Sequence, residues 1–160
     1  MIGIIDTGIC NLSSLSNALI FLNIKFISSN KADELKKCQK FILPGIGTFG
    51  EGMDRLKKNS LDEFINDQII NKKYLLGICL GMQLLMSRGF ENGKHDGLDL
   101  IKGDVLKLKK DKLIRVPHIG WNEIDATNNK IHILKNIKSK SNFYFIHSYA
   151  VNLNEKILSC

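Results

Sequence analysis

Only two prolines and one tryptophan occur in the 160 residues, and no apolar run approaches the roughly 18 residues that a membrane-spanning helix needs. Proline-rich spacers, collagen-like repeats and transmembrane anchors are thereby excluded, and no internal repeat or low-complexity linker divides the chain. The four cysteines, Cys10, Cys38, Cys79 and Cys160, form no C-x-x-C pair, so neither a zinc site nor a disulfide framework is expected. The opening Met1-Ile2-Gly3-Ile4-Ile5-Asp6 has no basic leader and too short an apolar stretch for a signal peptide. A cytoplasmic protein with reduced thiols and no membrane partner is expected. The formal charge of +7 raises nucleic acid as a partner. Its lysines are scattered in pairs such as Lys36-Lys37, Lys57-Lys58 and Lys72-Lys73, without a basic stripe interleaved with aromatics, which reads as solvated helix faces rather than a nucleic-acid surface. With 44% hydrophobic and 24% charged residues, the chain has the composition of one soluble globular domain with a real core.

The most informative stretch is Tyr74-Leu75-Leu76-Gly77-Ile78-Cys79-Leu80-Gly81-Met82-Gln83-Leu84-Leu85, which reads as strand, sharp turn and helix. A nucleophile at such a turn sits in a strained backbone conformation, and its neighbours two before and two after must be small for the turn to close. Gly77 and Gly81 meet that demand. Amides at the start of the following helix would favour the Cys79 thiolate and donate to a developing oxyanion. A buried core cysteine after a strand is the alternative at this point.

The first half alternates strand and helix: a strand over 2–6, a helix capped by Asn11 with Leu12, Leu15, Leu19 and Leu22 on one face, strands over 24–27 and 40–43, and a short helix over 32–38. This is the pattern of a parallel sheet. Pro44 is expected to stop the third strand and open the glycine-dense loop Pro44-Gly45-Ile46-Gly47-Thr48-Phe49-Gly50, placed where open α/β sheets bind ligands. It lacks the Gly-Lys-Ser/Thr ending of a phosphate loop. Ser60 and Glu63 form a candidate capping box for a helix with Leu61, Phe64, Ile65 and Ile69 on its apolar face. Residues 87–100, with Gly89, Gly93 and Gly97, read as a surface loop with a solvated His95.

From Gly103 onward the pattern changes to short alternating segments at 105–108, 113–116, 122–124, 132–134, 143–147 and 156–158, read as antiparallel or mixed β structure. The fold class is therefore α/β: a central, mostly parallel sheet flanked by helices, with an added antiparallel or mixed β portion in the second half. Within that portion, Arg115 to Asn122 holds the lone Trp121 beside Gly120, suited either to a partner surface or to the core. His147 ends an aromatic strand, where a satisfied structural histidine is more common than a catalyst.

Taken together, Met1–Asp6, Pro44–Phe49, Gly77-Ile78-Cys79-Leu80-Gly81-Met82-Gln83, Gly97–Gly103, Pro117-His118-Ile119-Gly120-Trp121-Asn122 and Tyr144–Tyr149 resemble the triad-type (class I) glutamine amidotransferases. Within that family the resemblance is to the glutaminase subunits of imidazole glycerol phosphate synthase in histidine biosynthesis. The resemblance implies that Cys79 attacks the side-chain amide of L-glutamine to give a glutamyl thioester and ammonia, with no cofactor or metal. It implies an oxyanion hole from the Ile46 and Leu80 amides and glutamine held by Gly47, Gln83, Ser148 and Tyr149. It further implies a heterodimer in which ammonia passes to a (β/α)₈-barrel synthase partner, met by Asn11, Pro117, His118, Gly120 and Trp121. In this family the oxyanion loop is held in a poor geometry until the partner binds its own substrate.

Three departures from the family pattern stand out. No histidine is followed by Pro-Glu, the motif that carries the rest of the triad, so a single amidotransferase domain over 1–160, C-terminally incomplete and with little turnover by itself, is expected. Thr7 stands where the family usually has Tyr, and Cys10 where it usually has Gly. These two suit a paralogue that supplies ammonia for amidino-sugar synthesis, and the missing motif suits a non-catalytic partner-binding module. Both are carried as alternatives.

Overall fold

The structure, a computed structural model, describes residues 1–110, 115–125 and 132–153. Its first half contains β1 (Ile2–Ile5), α1 (Leu12–Phe21), β2 (Phe26–Ser29), α2 (Ala32–Leu35), β3 (Lys40–Gly45), α3 (Phe49–Lys58), α4 (Leu61–Ile70), β4 (Tyr74–Cys79) and the one-turn α5 (Leu80–Gln83). Strands β1 to β4 form a parallel sheet in the order β2-β1-β3-β4. Because successive strand side chains face opposite ways, Ile4 and Ile42 pack with Leu19 of α1 on one face, whereas Ile5, Phe41 and Leu43 join the larger core with α3 and α4 on the other. The β3–β4 register sets Gly45 opposite Cys79. The loop after β3 and the turn after β4 therefore leave the sheet side by side.

The second half adds β5 (Met86–Gly89), β6 (His95–Asp96), β7 (Ile101–Lys107), β8 (His118–Glu123), a 3-10 turn (His132–Leu134), β9 (Asn142–His147) and β10 (Tyr149–Leu153). A mixed sheet runs β10-β7-β5-β6, and β8 and β9 form a separate antiparallel ribbon with His118 opposite His147. The expected combination of a parallel sheet and a mixed or antiparallel portion is present.

Several local expectations are corrected. Pro44 lies inside β3; β1 pairs with β3 only as far as Ile42, so a residue without an N–H is tolerated beyond that point. The second strand starts at Phe26 rather than Ile24, because Asn23 (φ +54°) and Ile24 close α1 with amides to the Ile20 and Leu19 carbonyls. This is a Schellman-type ending with Asn at the left-handed position. Ser60 makes no side-chain cap, being left-handed (φ +51°) where α3 ends and α4 begins, a backbone unsuited to an N-cap. Residues 87–100 are not simply a loop: β5 and β6 pair there, and His95 lies against Gly50 rather than in open solvent. The helix α3 was not anticipated, since Gly50 and Gly52 depress helix propensity; they are small because His95 and Leu84 pack onto them.

Residues 132–134 form a 3-10 turn and not a strand, since β8 takes β9 as its partner. The helix after Cys79 is a single turn, because the Leu84 and Leu85 carbonyls accept amides from Leu98, Leu100 and Ile101 instead of continuing it. The segments predicted at 113–116 and 156–158 fall wholly or partly outside the described residues. Among the described residues no helix is long and apolar enough to cross a membrane.

Among the glycines, the least room for a side chain is at Gly81, where α5 lies against β3. A Cβ on Gly81 would meet the Leu43 carbonyl oxygen at far less than contact distance, and one on Gly77 would fall 2.5 Å from Met82 Cα. Both obstacles are backbone, which cannot swing aside as a side chain can. Gly81→Ala is therefore expected to cost about 2–3 kcal/mol, a fall in Tm of about 4–12 °C for a domain of this size. Gly52→Ala, whose Cβ meets only leucine methyls near 3.0 Å, is expected to cost less than half as much. Thermal melts of the two variants check this, and equal losses would sink it.

Candidate active site

Cys79 is the last residue of β4 and sits at φ +55°, ψ −119°. A non-glycine residue there is strained by about 1–3 kcal/mol, and such strain persists only where the surroundings enforce it. Here the enforcement is visible: Gly77 and Gly81 let the chain fold back on itself and present the cysteine exposed at the sheet's carboxyl end. The buried-core alternative is thus excluded for Cys79. It describes Cys38, which is fully buried and whose thiol is pushed up by desolvation. Cys10 is also pushed up, first by burial and then by the negative charge of Asp6.

Cys79 opens into a cavity of about 300 Å3, at the lower end of the range for small-ligand sites. Four segments wall it: Ile46 and Gly47 after β3; Cys79, Leu80 and Gln83 at the turn; Glu91 after β5; and Ile146, His147, Ser148 and Tyr149 where β9 passes into β10. Every residue expected to bind glutamine or form the oxyanion hole lines this one cavity. Glu91 carries no motif and lies in the 87–100 stretch whose glycines predict a surface loop. Its Oε2 accepts the Phe49 amide at 3.0 Å, joining the start of α3 to the cavity wall, and it is the single carboxylate among the described residues that line it.

The Ile46 N–H is committed elsewhere, donating to the Ile9 carbonyl at 3.1 Å. Gly47 follows at φ +97°, in the left-handed region that glycine enters without strain. The Ile9 carbonyl is held by a short turn in which Asp6 Oδ1 accepts from the Gly8 amide at 2.7 Å and lies 3.6 Å from Cys10 Sγ. Gly8 supplies the positive φ of this turn, so Cys10 is accommodated without it. Thr7 is buried and does not contribute an outer face.

The remaining walls are cross-linked. Gln83 Nε2 donates to the Tyr149 carbonyl at 3.1 Å. That carbonyl also lies 3.0 Å from His147 Nδ1, while His147 Nε2 lies 3.0 Å from His118 Nδ1. Both ring nitrogens of His147 are therefore engaged away from the thiol, in line with a structural rather than a catalytic histidine. Of the residues expected at a partner face, Asn11, Pro117 and Trp121 are exposed, Trp121 at 71%. Gly120 is half-buried at φ +151°, and His118 is half-buried, stacked on Phe145. Asn11 also caps α1, accepting the Ser14 amide at 3.3 Å. Among the described residues no cluster of His, Cys, Asp and Glu could hold a metal ion.

Comparison with known proteins agrees with this geometry. The family profile described as glutamine amidotransferase class-I matches residues 4–159. The imidazole glycerol phosphate synthase subunit HisH of Bacillus subtilis is 43% identical over 156 residues, 95% of this chain and 73% of the relative. The HisH 1 subunit of Campylobacter jejuni strain RM1221 is 40% identical over 161 residues, 99% of this chain and 79% of the relative. Among solved structures, a glutamine amidotransferase matches with a TM-score of 0.74 at 15% identity, over 96% of this chain and 75% of that one. A glutamine amidotransferase from Thermotoga maritima matches with a TM-score of 0.65 at 16% identity, over 95% of this chain and 61% of that one. At those identities the structures speak for the fold alone. The chain belongs to the class-I glutamine amidotransferase family, in the branch of the imidazole glycerol phosphate synthase subunit HisH.

Proposed function

We propose that this chain is the glutamine-hydrolysing subunit of an imidazole glycerol phosphate synthase in histidine biosynthesis, with Cys79 as its nucleophile. The observation that carries the reading is the strained, exposed Cys79 opening into a cavity that also holds Gly47, Gln83, Glu91, Ser148 and Tyr149. In the reaction the Cys79 thiolate attacks the side-chain carbonyl carbon of glutamine. A C–S bond forms, the C–N bond breaks, and the nitrogen leaves as ammonia with the proton that the Cys79 thiol gave up. Water then cleaves the thioester, releasing glutamate and restoring the thiol. The amides of Leu80 and Ile46 stabilise the tetrahedral oxyanion, so the Ile46 N–H must first leave the Ile9 carbonyl, a rotation of the Gly45–Ile46 peptide that glycine at 45 tolerates. Glu91 meets the substrate's α-ammonium group, while Ser148 and Tyr149 border its carboxylate end.

Ammonia in water near neutral pH is mostly protonated and not nucleophilic, which favours direct transfer to a (β/α)₈-barrel synthase partner. The exposed Trp121, Pro117 and Asn11, with Gly120 and the edge of His118, form the face offered to it. The likeness to HisH subunits favours this pathway over the amidino-sugar branch.

Because, among the described cysteines, Cys38 is buried and Cys10 half-buried, a thiol reagent reaches Cys79 more readily than either, so exposure alone must be separated from activation. A glutamine-like diazoketone is expected to label Cys79 selectively, with free glutamine protecting it. Iodoacetamide provides the accessibility baseline. Mass spectrometry of the peptides reads both, and the absence of glutamine protection would leave only the partner-binding role. Replacing Glu91 by Gln keeps an acceptor for the Phe49 amide and removes the charge. It is expected to raise the KM for glutamine about 10- to 100-fold, the loss of a hydrogen bond to a charged group, with a much smaller effect on kcat. Steady-state glutaminase kinetics of the native protein with its partner decide this, and an unchanged KM would remove Glu91 from the substrate site.

A further inference from the structure

Four side chains and one carbonyl form a continuous hydrogen-bonded line from the β8–β9 ribbon to the turn that carries Cys79. Asn122 Oδ1 lies 3.1 Å from His118 Nε2, His118 Nδ1 lies 3.0 Å from His147 Nε2, His147 Nδ1 lies 3.0 Å from the Tyr149 carbonyl, and Gln83 Nε2 donates to that carbonyl at 3.1 Å. A carbonyl oxygen can only accept, so His147 Nδ1 carries a proton. In the neutral ring His147 Nε2 is then an acceptor, and His118 Nδ1 must be the donor to it. The His118 ring is itself fixed by stacking on Phe145, with centroids 5.3 Å apart, and by its edge contact with His147. At the far end, Asn122 completes the line either by turning its NH2 toward Nε2 or by accepting from a protonated His118.

The line matters because His147 separates two spaces. It lines the Cys79 cavity on one side and, on the other, a larger cavity of about 790 Å3 that it shares with His118, Pro117 and Asn122. A ring with its Nε2 unpaired is free to adopt the opposite tautomer and turn from the Tyr149 carbonyl. The Tyr149 carbonyl, to which Gln83 also donates, would then lose one of the two donors that fix it at the cavity wall.

We propose that His118 is a positioning residue for the glutamine site, holding the His147 ring and, through it, the Tyr149 carbonyl and Gln83 that wall the Cys79 cavity. This rests on the glutaminase reading given above. It assigns His118 an inward role distinct from that of the exposed Trp121 beside it in the chain. A positioning role differs from a merely structural one in needing a donor at one place, the Nδ1 position of residue 118.

The test measures the glutamine concentration that half-protects Cys79 of the full native chain against iodoacetamide. His118→Phe keeps a ring against Phe145 and removes both nitrogens, and is expected to raise that concentration about 5- to 10-fold. His118→Asn restores an amide donor near the Nδ1 position and is expected to return it to within about twofold of the parent, a rescue that does not follow from ring packing. Nitrogen-15 spectra of the parent are expected to show neutral His147 as the Nδ1–H tautomer, so the proposal stands or falls even if the Phe variant does not fold. Equal protection of parent and Phe variant, equal impairment of Phe and Asn variants, or an Nε2–H tautomer at His147 would each overturn the proposal while leaving the glutaminase reading intact. If glutamine fails to protect the parent, the glutaminase reading falls, and this proposal with it.

Discussion

The structure depends on one clearance, the space between the backbone of α5 and the Leu43 carbonyl of β3. With no side chain at position 81, the chain can leave β4, reverse within a residue and lie against the neighbouring strand. With none at 77, the turn can also close on Met82. The outcome is a cysteine held at φ +55° beside the loop that follows β3. The strain at Cys79 and the missing side chains at 77 and 81 are the same fact seen from two sides. Neither would persist without the close parallel pairing of β3 and β4 that sets Gly45 opposite Cys79.

That dependence explains which features could be read from the chain beforehand. The small residues around Cys79 were legible because the demand is local: a sharp turn needs them at fixed offsets whatever lies around it. The Asn11 cap and the strand–helix alternation were legible for the same reason. Features imposed by distant partners were not. Gly50 and Gly52 argue locally against α3, and only the His95 ring and the Leu84 methyls explain them. Ser60 and Glu63 spell a capping box, yet the abrupt passage from α3 into α4 leaves Ser60 left-handed. Strand β5 carries Ser87 and Arg88 in place of an apolar alternation. It is tied to β7 by the paired hydrogen bonds of Arg88 to Asp104, both at 2.8 Å, an interaction with no local sequence signature.

The site shows the same division. Cys79, Ile46, Gly47, Gln83, Ser148 and Tyr149 were found through motifs and meet in one cavity. Glu91 carries no motif; it reaches the wall because β5 turns the chain back toward the start of α3, where the Phe49 amide holds its carboxylate. The pairing of His118 with His147 spans 29 residues and exists only through the β8–β9 register. No spacing rule would have joined them. Motifs mark the nucleophile and the walls contiguous with it, whereas Glu91 and the His118–His147 pair reach the site through sheet pairing and carry no motif.

The walls also differ in how they are held, and this bears on how the site works. A helix of one turn adds little dipole to the Cys79 environment, so stabilisation of an oxyanion falls to individual amides rather than to a helix as a whole. One amide proposed for that role, that of Ile46, is bonded to the Ile9 carbonyl and lies between Gly45 and Gly47. The opposite wall, from Ile146 to Tyr149, contains no glycine and is fixed at its carbonyl by Gln83 and His147. On the proposed reading, a change that completes the oxyanion hole would take place at the Gly45–Ile46 peptide, while the substrate would be held against the other wall. On the proposed glutaminase reading, a donor that rotates into place opposite a fixed cradle would let glutamine bind before the site can cleave it, which is the order a subunit needs if its ammonia is to be released only on demand.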